Sequence, residues 1–487
     1  MKTVLFLIGI LFSIESCSGD TPPLVPPDEE TRRLVSEWVE RRQPELSIVV
    51  GVLEPQGKRV ISYGRLDGRR AADANTVFEI GSATKVFTSL LLADMVTRGE
   101  VRLSDPVSRY MPAGVRIPER GGRSITLEDL ATHRSGLPRM PMNFFTPNQT
   151  DPYRAYSTKD LYRFLAWYPL PRDIGTEYEY SNLGAGLLGH APARAAEQDY
   201  EALLLKRVIE PLEMSSTGIT LSPAMQSHLA LGHDTLFDET VNWNFTEAFA
   251  GAGALRSTAN DLLTFLAAQL GYTTSDLSAA ITQTRSTWRP ALSGTSIGLG
   301  WMKRPGKVSE IIWHGGGTGG YSAFVGFDPA ARSGVVVLAN LEGLKGNVDT
   351  LGLRLLGEDP EQFPPWAGIT LTLVIGAGII TSAIRGKRVF SVSQSHCQPI
   401  RASSSHEESA TAHSQEAVIE VQDLLNAGNR SRDTVQGLQK LYISLAVGTS
   451  KSGIRTGPAT FFSAVIVDPD GSQHWISKLA DIADAIK

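Results

Sequence analysis

Ser82-Ala83-Thr84-Lys85 places a hydroxyl and an amine three residues apart. A serine hydroxyl is a weak nucleophile until a base takes its proton. Residues i and i+3 share a helix face, so a helix starting here brings Lys85 Nζ beside Ser82 Oγ. The N–H groups at that helix start add a positive field. A lysine in a partly dry pocket near a second cation can lose its proton at neutral pH. The chemistry on offer is attack by Ser82 on a carbonyl, with Lys85 taking the proton. The same four residues also fit a helix-capping serine followed by a surface lysine, so the reading needs support from elsewhere in the chain.

Two segments offer it. Tyr180-Ser181-Asn182 supplies a phenol able to act as acid or base and an amide able to hold a substrate carbonyl, although Tyr178 and Tyr180 also suit a core. Trp313-His314-Gly315-Gly316-Gly317-Thr318-Gly319-Gly320 closes an apolar strand. Its glycines let backbone approach a ligand, and an exposed strand edge presents N–H groups to an oxyanion. A flexible loop or a phosphate cradle would use the same glycines, but no Gly-Lys-Ser/Thr follows, which excludes a Walker loop. A rival nucleophile is Ser296, in Gly294-Thr295-Ser296-Ile297-Gly298. That motif needs a strand before it, a helix after it, and then Asp and His. Here Pro290 lies upstream, residues 298–302 read as a strand, and no histidine follows His314 until the segment after residue 389.

Periodicity supplies the elements that must hold these groups. Residues 30–42 read as an amphipathic helix. Residues 47–53 and 59–64 alternate around Pro55-Gln56-Gly57, a hairpin pattern. A short strand at 77–80 leads into a long apolar helix at 82–97, with shorter helices at 127–133 and 159–167. Residues 182–196 are helical with a kink expected at Pro192, and 258–270 form another helix. Strands are expected at 298–302, 311–313, 322–327 and 334–338, with Asp328-Pro329 as a turn. Helices with antiparallel strands gathered late describe one α+β domain over residues 30–357.

The three motifs, in this order, resemble those of the penicillin-recognising serine hydrolases, and most closely the class C β-lactamase-like family. The family pattern is S-x-x-K, then Y-x-N, then K-T-G or H-x-G. Further matches are the runs from Leu130 to Pro138, Pro211 to Met214, and Gly253 to Thr258. The resemblance covers residues 30–357. It implies a β-lactamase/transpeptidase-like fold, an antiparallel sheet with flanking helices plus an all-helical subdomain. It implies that Ser82 becomes the acyl-enzyme, that Lys85 and Tyr180 shuttle the proton in an order left open, and that Asn182 contacts the substrate amide. His314 takes the place of the third-motif lysine, with Gly316 and Gly317 beside it. The backbone N–H groups of Ser82 and Gly317 would form the oxyanion hole. Class C lactamases carry lysine at that place, whereas D,D-peptidase and esterase members often carry histidine. The substrate class therefore stays open among β-lactams, peptidoglycan peptides and small esters or amides. A membrane receptor that binds such molecules with slow or no turnover is the alternative, although it would have no need of Lys85 and Tyr180 together.

Composition narrows the rest. Of 487 residues, 42% are apolar and 20% charged, an ordinary globular mixture that excludes a wholly disordered chain. A net charge of -5 lacks the basic footprint that nucleic acid requires. Two cysteines, Cys17 and Cys397, exclude a disulfide framework and a cysteine-rich zinc site. The nine histidines are scattered with no H-E-x-x-H, which argues against a metalloprotease, and no metal or cofactor is expected. Residues 1–17 read as a signal peptide, with Lys2 before an apolar stretch, and Cys17 is a candidate lipid acceptor poorly served by Glu15. Residues 366–384 carry no charge and are followed by Arg385, Lys387 and Arg388, a stop-transfer pattern. That stretch reads as a transmembrane helix, with a buried core helix as its competitor, and it would leave the Ser82 domain on the periplasmic or extracellular side. Residues 389–414 read as a Ser-, His- and Gln-rich linker. In the tail, 415–487, residues 415–445 are expected to be helical, and 461–467 with 474–477 to form a hairpin. Neither the tail's role nor the oligomeric state is legible.

Overall fold

In a computed structural model the hairpin around Pro55 forms one edge of an eight-stranded sheet. The structure describes residues 24–40, 46–66, 70–235, 237–292, 294–342 and 345–358, together with four strands farther along. The chain divides into two units, 1–359 and 360–487. In the first, helix α1 (Asp28–Glu40) precedes β1 (Ile48–Glu54) and β2 (Gly57–Tyr63). The later strands are β3 (Arg289–Pro290), β4 (Ser296–Ile297), β5 (Met302–Pro305), β6 (Glu310–Gly317), β7 (Ser322–Asp328) and β8 (Ser333–Ala339). Their order is β2-β1-β8-β7-β6-β5-β4-β3, every pair antiparallel. The first strand of the domain thus pairs with its last.

Every residue of β1, β7 and β8 is buried, which requires cover on both faces of the sheet. On one face the helix Ala259–Gln269 lays Leu263 against Gly51 and Leu266 against Gly334. On the other, Gly352 of the helix Lys345–Leu355 rests on Phe324. The uninterrupted Val335–Leu338 run follows from burial on two sides.

The helical part is built around α2 (Thr84–Thr97), where Thr84 through Met95 are all buried. A helix apolar all round belongs in an interior. α5 (Asn182–Ala195) and α6 (Ala250–Gly253) pack on it, α3 (Leu127–Ala131) packs on α5, and α4 (Thr158–Trp167) joins the same hydrophobic core. Local sequence starts several of these helices. Thr126 with Asp129 and Ser157 with Asp160 form capping boxes, and Ser181 accepts from the Gly184 N–H. The glycines of α5 face α6 and the residues before it at close range: a Cβ on Gly189 would stand 2.8 Å from Gly251 Cα, and one on Gly186 2.2 Å from the Ala248 carbonyl oxygen. α5 runs through Pro192 as one helix.

Three expectations need correction. Of residues 298–302 only Met302 is in a strand, as the start of β5: residues 298–301 make the turn between β4 and β5, with Gly300 at φ +75°. Leu299 and Trp301 alternate as strand residues would, but both are buried, and the Trp301 ring packs on Phe265 and Phe327. The helix expected over 415–445 is absent from the ends of that span, where strands His413–Ile419 and Lys440–Gly448 pair with one another. His413 and Ser414, expected within the linker, belong to the first of these strands. The strands Ala459–Val467 and Gln473–Ile476 pair as the expected hairpin and complete a four-stranded antiparallel sheet. Residues 1–17, expected as a signal peptide, the apolar stretch 366–384, expected as a transmembrane helix, and both cysteines lie outside the described residues. Among the described residues no helix is long and apolar enough to cross a membrane.

The end of β6 lies against the turn that carries Ser82. A Cβ on Gly316 would sit 1.9 Å from the Ile80 carbonyl oxygen, and one on Gly81 would sit 2.6 Å from Gly317 N. Gly316→Ala must therefore push strand and turn apart. We expect a stability loss of about 1–3 kcal/mol, read as a lower melting temperature, with a larger proportional fall in turnover. Unchanged melting and turnover would show that this approach tolerates a methyl group.

Candidate active site

Ser82 does not cap the helix. It lies in a 3-10 turn, Gly81–Ala83, entered through Gly81 at φ +47°, and α2 begins at Thr84 with no side-chain cap. In a 3-10 turn residues i and i+3 eclipse, which tightens the approach expected from an α-helix. Lys85 Nζ is 3.0 Å from Ser82 Oγ. Lys85 is 2% exposed, so the surface-lysine reading fails, while Ser82 stays half-exposed and reachable.

The Lys85 ammonium also donates to Asn182 Oδ1 at 2.9 Å and to the Ala252 carbonyl at 2.7 Å. These acceptors come from three segments: the Ser82 turn, the first residue of α5, and α6. Asn182 was expected to hold the substrate. Its oxygen accepts from Lys85, and its Nδ2 donates to Met140 Sδ at 3.8 Å.

Tyr180 lies beside the pair, with Lys85 Nζ 4.8 Å from its ring centroid. The Arg139 guanidinium stands 5.4 Å from the same centroid. The rings of His133 and His314 lie at 4.5 Å and 6.2 Å. His314 sits on β6 opposite Val325, is 3% exposed, and its Nδ1 donates to the Gly315 carbonyl at 2.6 Å. The structure thus brings Ser82, Lys85, Tyr180, Asn182, His314, Gly316 and Gly317 to one place, where α2, α5 and β6 meet. Ser296, on the short strand β4, lacks the strand-to-helix setting of a nucleophile elbow. Among the described residues no group of three or more His, Cys, Asp or Glu could hold a metal ion.

Sequence reasoning assigned no role to His133. Its Nδ1 accepts from the Ser181 N–H at 3.1 Å, its carbonyl accepts from Glu179 N at 2.8 Å, and its backbone is left-handed at φ 55°. Nδ1 as acceptor puts the ring proton on Nε2. Burial holds the imidazole pKa well below its usual value, and the electrostatic influence of Lys85, His314 and Arg139 acts in the same direction. His133 is therefore a neutral ring that fixes the backbone from Glu179 to Ser181, and Tyr180 with it. The Leu130–Pro138 run was its signal, but no residue type there announces a contact to a main-chain N–H. Glu79 and Arg256 were also missed. They form a buried ion pair at 3.1 Å, and Glu79 accepts from Trp243 N at 3.0 Å. Burial raises the Glu79 pKa, against the lowering pull of Arg256. The pair ties the strand before the nucleophile turn to the loop carrying Trp243.

His133→Phe keeps an aromatic ring against Tyr180 but leaves the Ser181 N–H without its acceptor. An unsatisfied buried donor costs about 1–3 kcal/mol. We expect lower stability and at least a severalfold fall in kcat, measured by thermal unfolding and ester turnover on the same preparation. Wild-type kcat in a folded variant would remove the positioning role.

Residues 34–357 match the family described as Beta-lactamase. The D-alanyl-D-alanine-carboxypeptidase/endopeptidase AmpH of Escherichia coli K12 is 29% identical over 311 residues, covering 60% of this chain and 79% of that protein. A beta-lactamase of Pseudomonas fluorescens is 27% identical, covering 64% of this chain and 94% of its own. Among solved structures, a class C beta-lactamase superposes with a TM-score of 0.59 at 23% identity over 67% of this chain and 95% of the other, which establishes the fold. The D-alanine carboxypeptidase AmpC of Burkholderia cenocepacia gives a TM-score of 0.57 at 25% identity, covering 68% of this chain and 99% of that one. A family match spanning most of the chain, on a fold that gathers Ser82, Lys85, Tyr180 and Asn182 into one cleft, places this protein in the Beta-lactamase family of serine hydrolases.

Proposed function

We propose that the protein is an exported hydrolase that works by acyl transfer to Ser82, on β-lactams, peptidoglycan peptides or small esters and amides. The observation that carries this is the 3.0 Å contact of buried Lys85 Nζ with half-exposed Ser82 Oγ. Ser82 Oγ bonds to the substrate carbonyl carbon, and its proton passes to the member of the Lys85–Tyr180 pair that has first given up its own, the Lys85 amine or the Tyr180 phenolate. The carbonyl oxygen becomes an oxyanion facing the N–H groups of Ser82 and Gly317, the arrangement that lowers such barriers most. The carbon–nitrogen bond then breaks and the nitrogen takes the proton back from the pair. Water repeats the sequence on the acyl-enzyme and releases the acid. The order in which Lys85 and Tyr180 act is left to kinetics. A receptor that only binds its ligand would not require a buried lysine on its serine, and this favours turnover.

The proposal includes topology: export by residues 1–17, with 366–384 as a membrane span holding the Ser82 domain outside. The charge-free stretch and the basic residues after it support this reading.

Two measurements test the proposal. Ser82→Ala should lower hydrolysis of nitrocefin or p-nitrophenyl acetate by several orders of magnitude, and Ser296→Ala should leave it near wild type. Near-wild-type turnover by folded Ser82→Ala would falsify the nucleophile. For topology, alkaline phosphatase fused after Glu358 should be active and fused after Lys487 inactive; activity at both junctions rules out a single span.

A further inference from the structure

Arg139 borders the site and is exposed. Its carbonyl accepts from the N–H groups of Asn182 and Leu183 at 3.0 and 3.2 Å, so its backbone is pinned to the first turn of α5. Its guanidinium lies over the Tyr180 ring. Among the described residues it forms no ion pair with a carboxylate, whereas other basic residues do: Arg172 with Glu179, Lys303 with Glu310, Arg304 with Glu358.

The other candidate cations at the site are committed. Lys85 directs its ammonium to Ser82, Asn182 and Ala252. His314 is buried and spends Nδ1 on a backbone carbonyl. Neither presents a fork of N–H groups to an incoming anion. An arginine does, and its planar fork matches a carboxylate in two parallel bonds.

The position also says which half of the substrate is read. The leaving nitrogen takes its proton from the Lys85–Tyr180 pair, so the leaving group must lie beside Tyr180. A carboxylate on the carbon next to that nitrogen then falls on the Tyr180 side of the cleft, where Arg139 stands. We infer that Arg139 is a specificity-determining residue that binds a carboxylate on the leaving-group half of the substrate, selecting acyl donors that release an amino acid or open a ring bearing a carboxylate beside its nitrogen. The inference rests on the hydrolase reading above and deepens it.

Two esters with the same acylglycyl group isolate the effect, one releasing 3-hydroxybenzoate and the other phenol. The readout is the ratio of their kcat/KM values in the full-length protein. Wild type should favour the carboxylate ester by about tenfold, on the order of one charge-assisted hydrogen bond. Arg139→Gln should bring the ratio near one and Arg139→Lys should retain part of it. Raising the salt concentration should shrink the wild-type ratio more than that of Arg139→Gln. Arg163→Gln, which removes another exposed arginine, on α4, is the control and should keep the wild-type ratio. A wild-type ratio near one, or one unchanged in Arg139→Gln, overturns the inference. So does an equal loss on both esters, which would mean that Arg139 acts through Tyr180 or the fold. Turnover of neither ester by wild type would instead overturn the hydrolase reading itself.

Discussion

A lysine ammonium out of water must be satisfied, and the rest of this domain is arranged around satisfying Lys85. Burying an unpaired charge costs more than one domain can spare, while a charge with good hydrogen-bond geometry is tolerated. Lys85 reaches its own turn at Ser82, a side chain 97 residues away at Asn182, and a main-chain carbonyl 167 residues away at Ala252. Those bonds require α5 and α6 to converge on the start of α2. The close packing of α5 on Ala248 and Gly251 is the means of that convergence. The same bonds that make the lysine tolerable also aim it at the serine, so stability and chemistry have one structural cause here.

The sheet imposes the second constraint. β6 delivers Gly316 and Gly317 to the nucleophile turn because no side chain stands between strand and turn. On the far side of β6, β7 and β8 are buried on both faces and hold it in register. The N–H groups around Ser82 are thereby fixed by the core of the domain. Donors that need not reorganise as charge develops are the ones worth most in a transition state.

What could be read from the sequence follows the range of each interaction. Ser82 and Lys85 were legible because their contact is local, three residues within one turn. Tyr180-Ser181-Asn182 and His314 to Gly317 were legible as motifs, but their meeting was not, since nothing local encodes the approach of Tyr180, just before α5, to His314 on β6. The Ala252 carbonyl was invisible because any residue carries one. His133 was invisible because it works through the Ser181 main-chain N–H. The turn at 298–301 was misread because Leu299 and Trp301 alternate as strand residues do, whereas here the alternation anchors a turn in the core. In the second unit the period-2 pattern of Lys440–Gly448 was lost in a longer window read as helix.

Around Tyr180 the electrostatics follow from these placements. Two imidazoles flank the phenol, and the backbone orients both: His133 accepts from Ser181 N, and His314 donates to the Gly315 carbonyl. His133 is held neutral by burial and by the cations around it. It therefore adds shape and a fixed hydrogen bond without competing for the positive charge of Lys85. Positive charge near the phenol then comes from Lys85, buried and directed at the serine, and from Arg139, exposed and facing solvent. A buried cation is screened little and acts on the proton that moves. An exposed cation is screened over about 8–10 Å at ordinary salt, so it acts on what binds directly against it. The two cations on one tyrosine thus divide naturally into one that serves the reaction and one that meets the substrate.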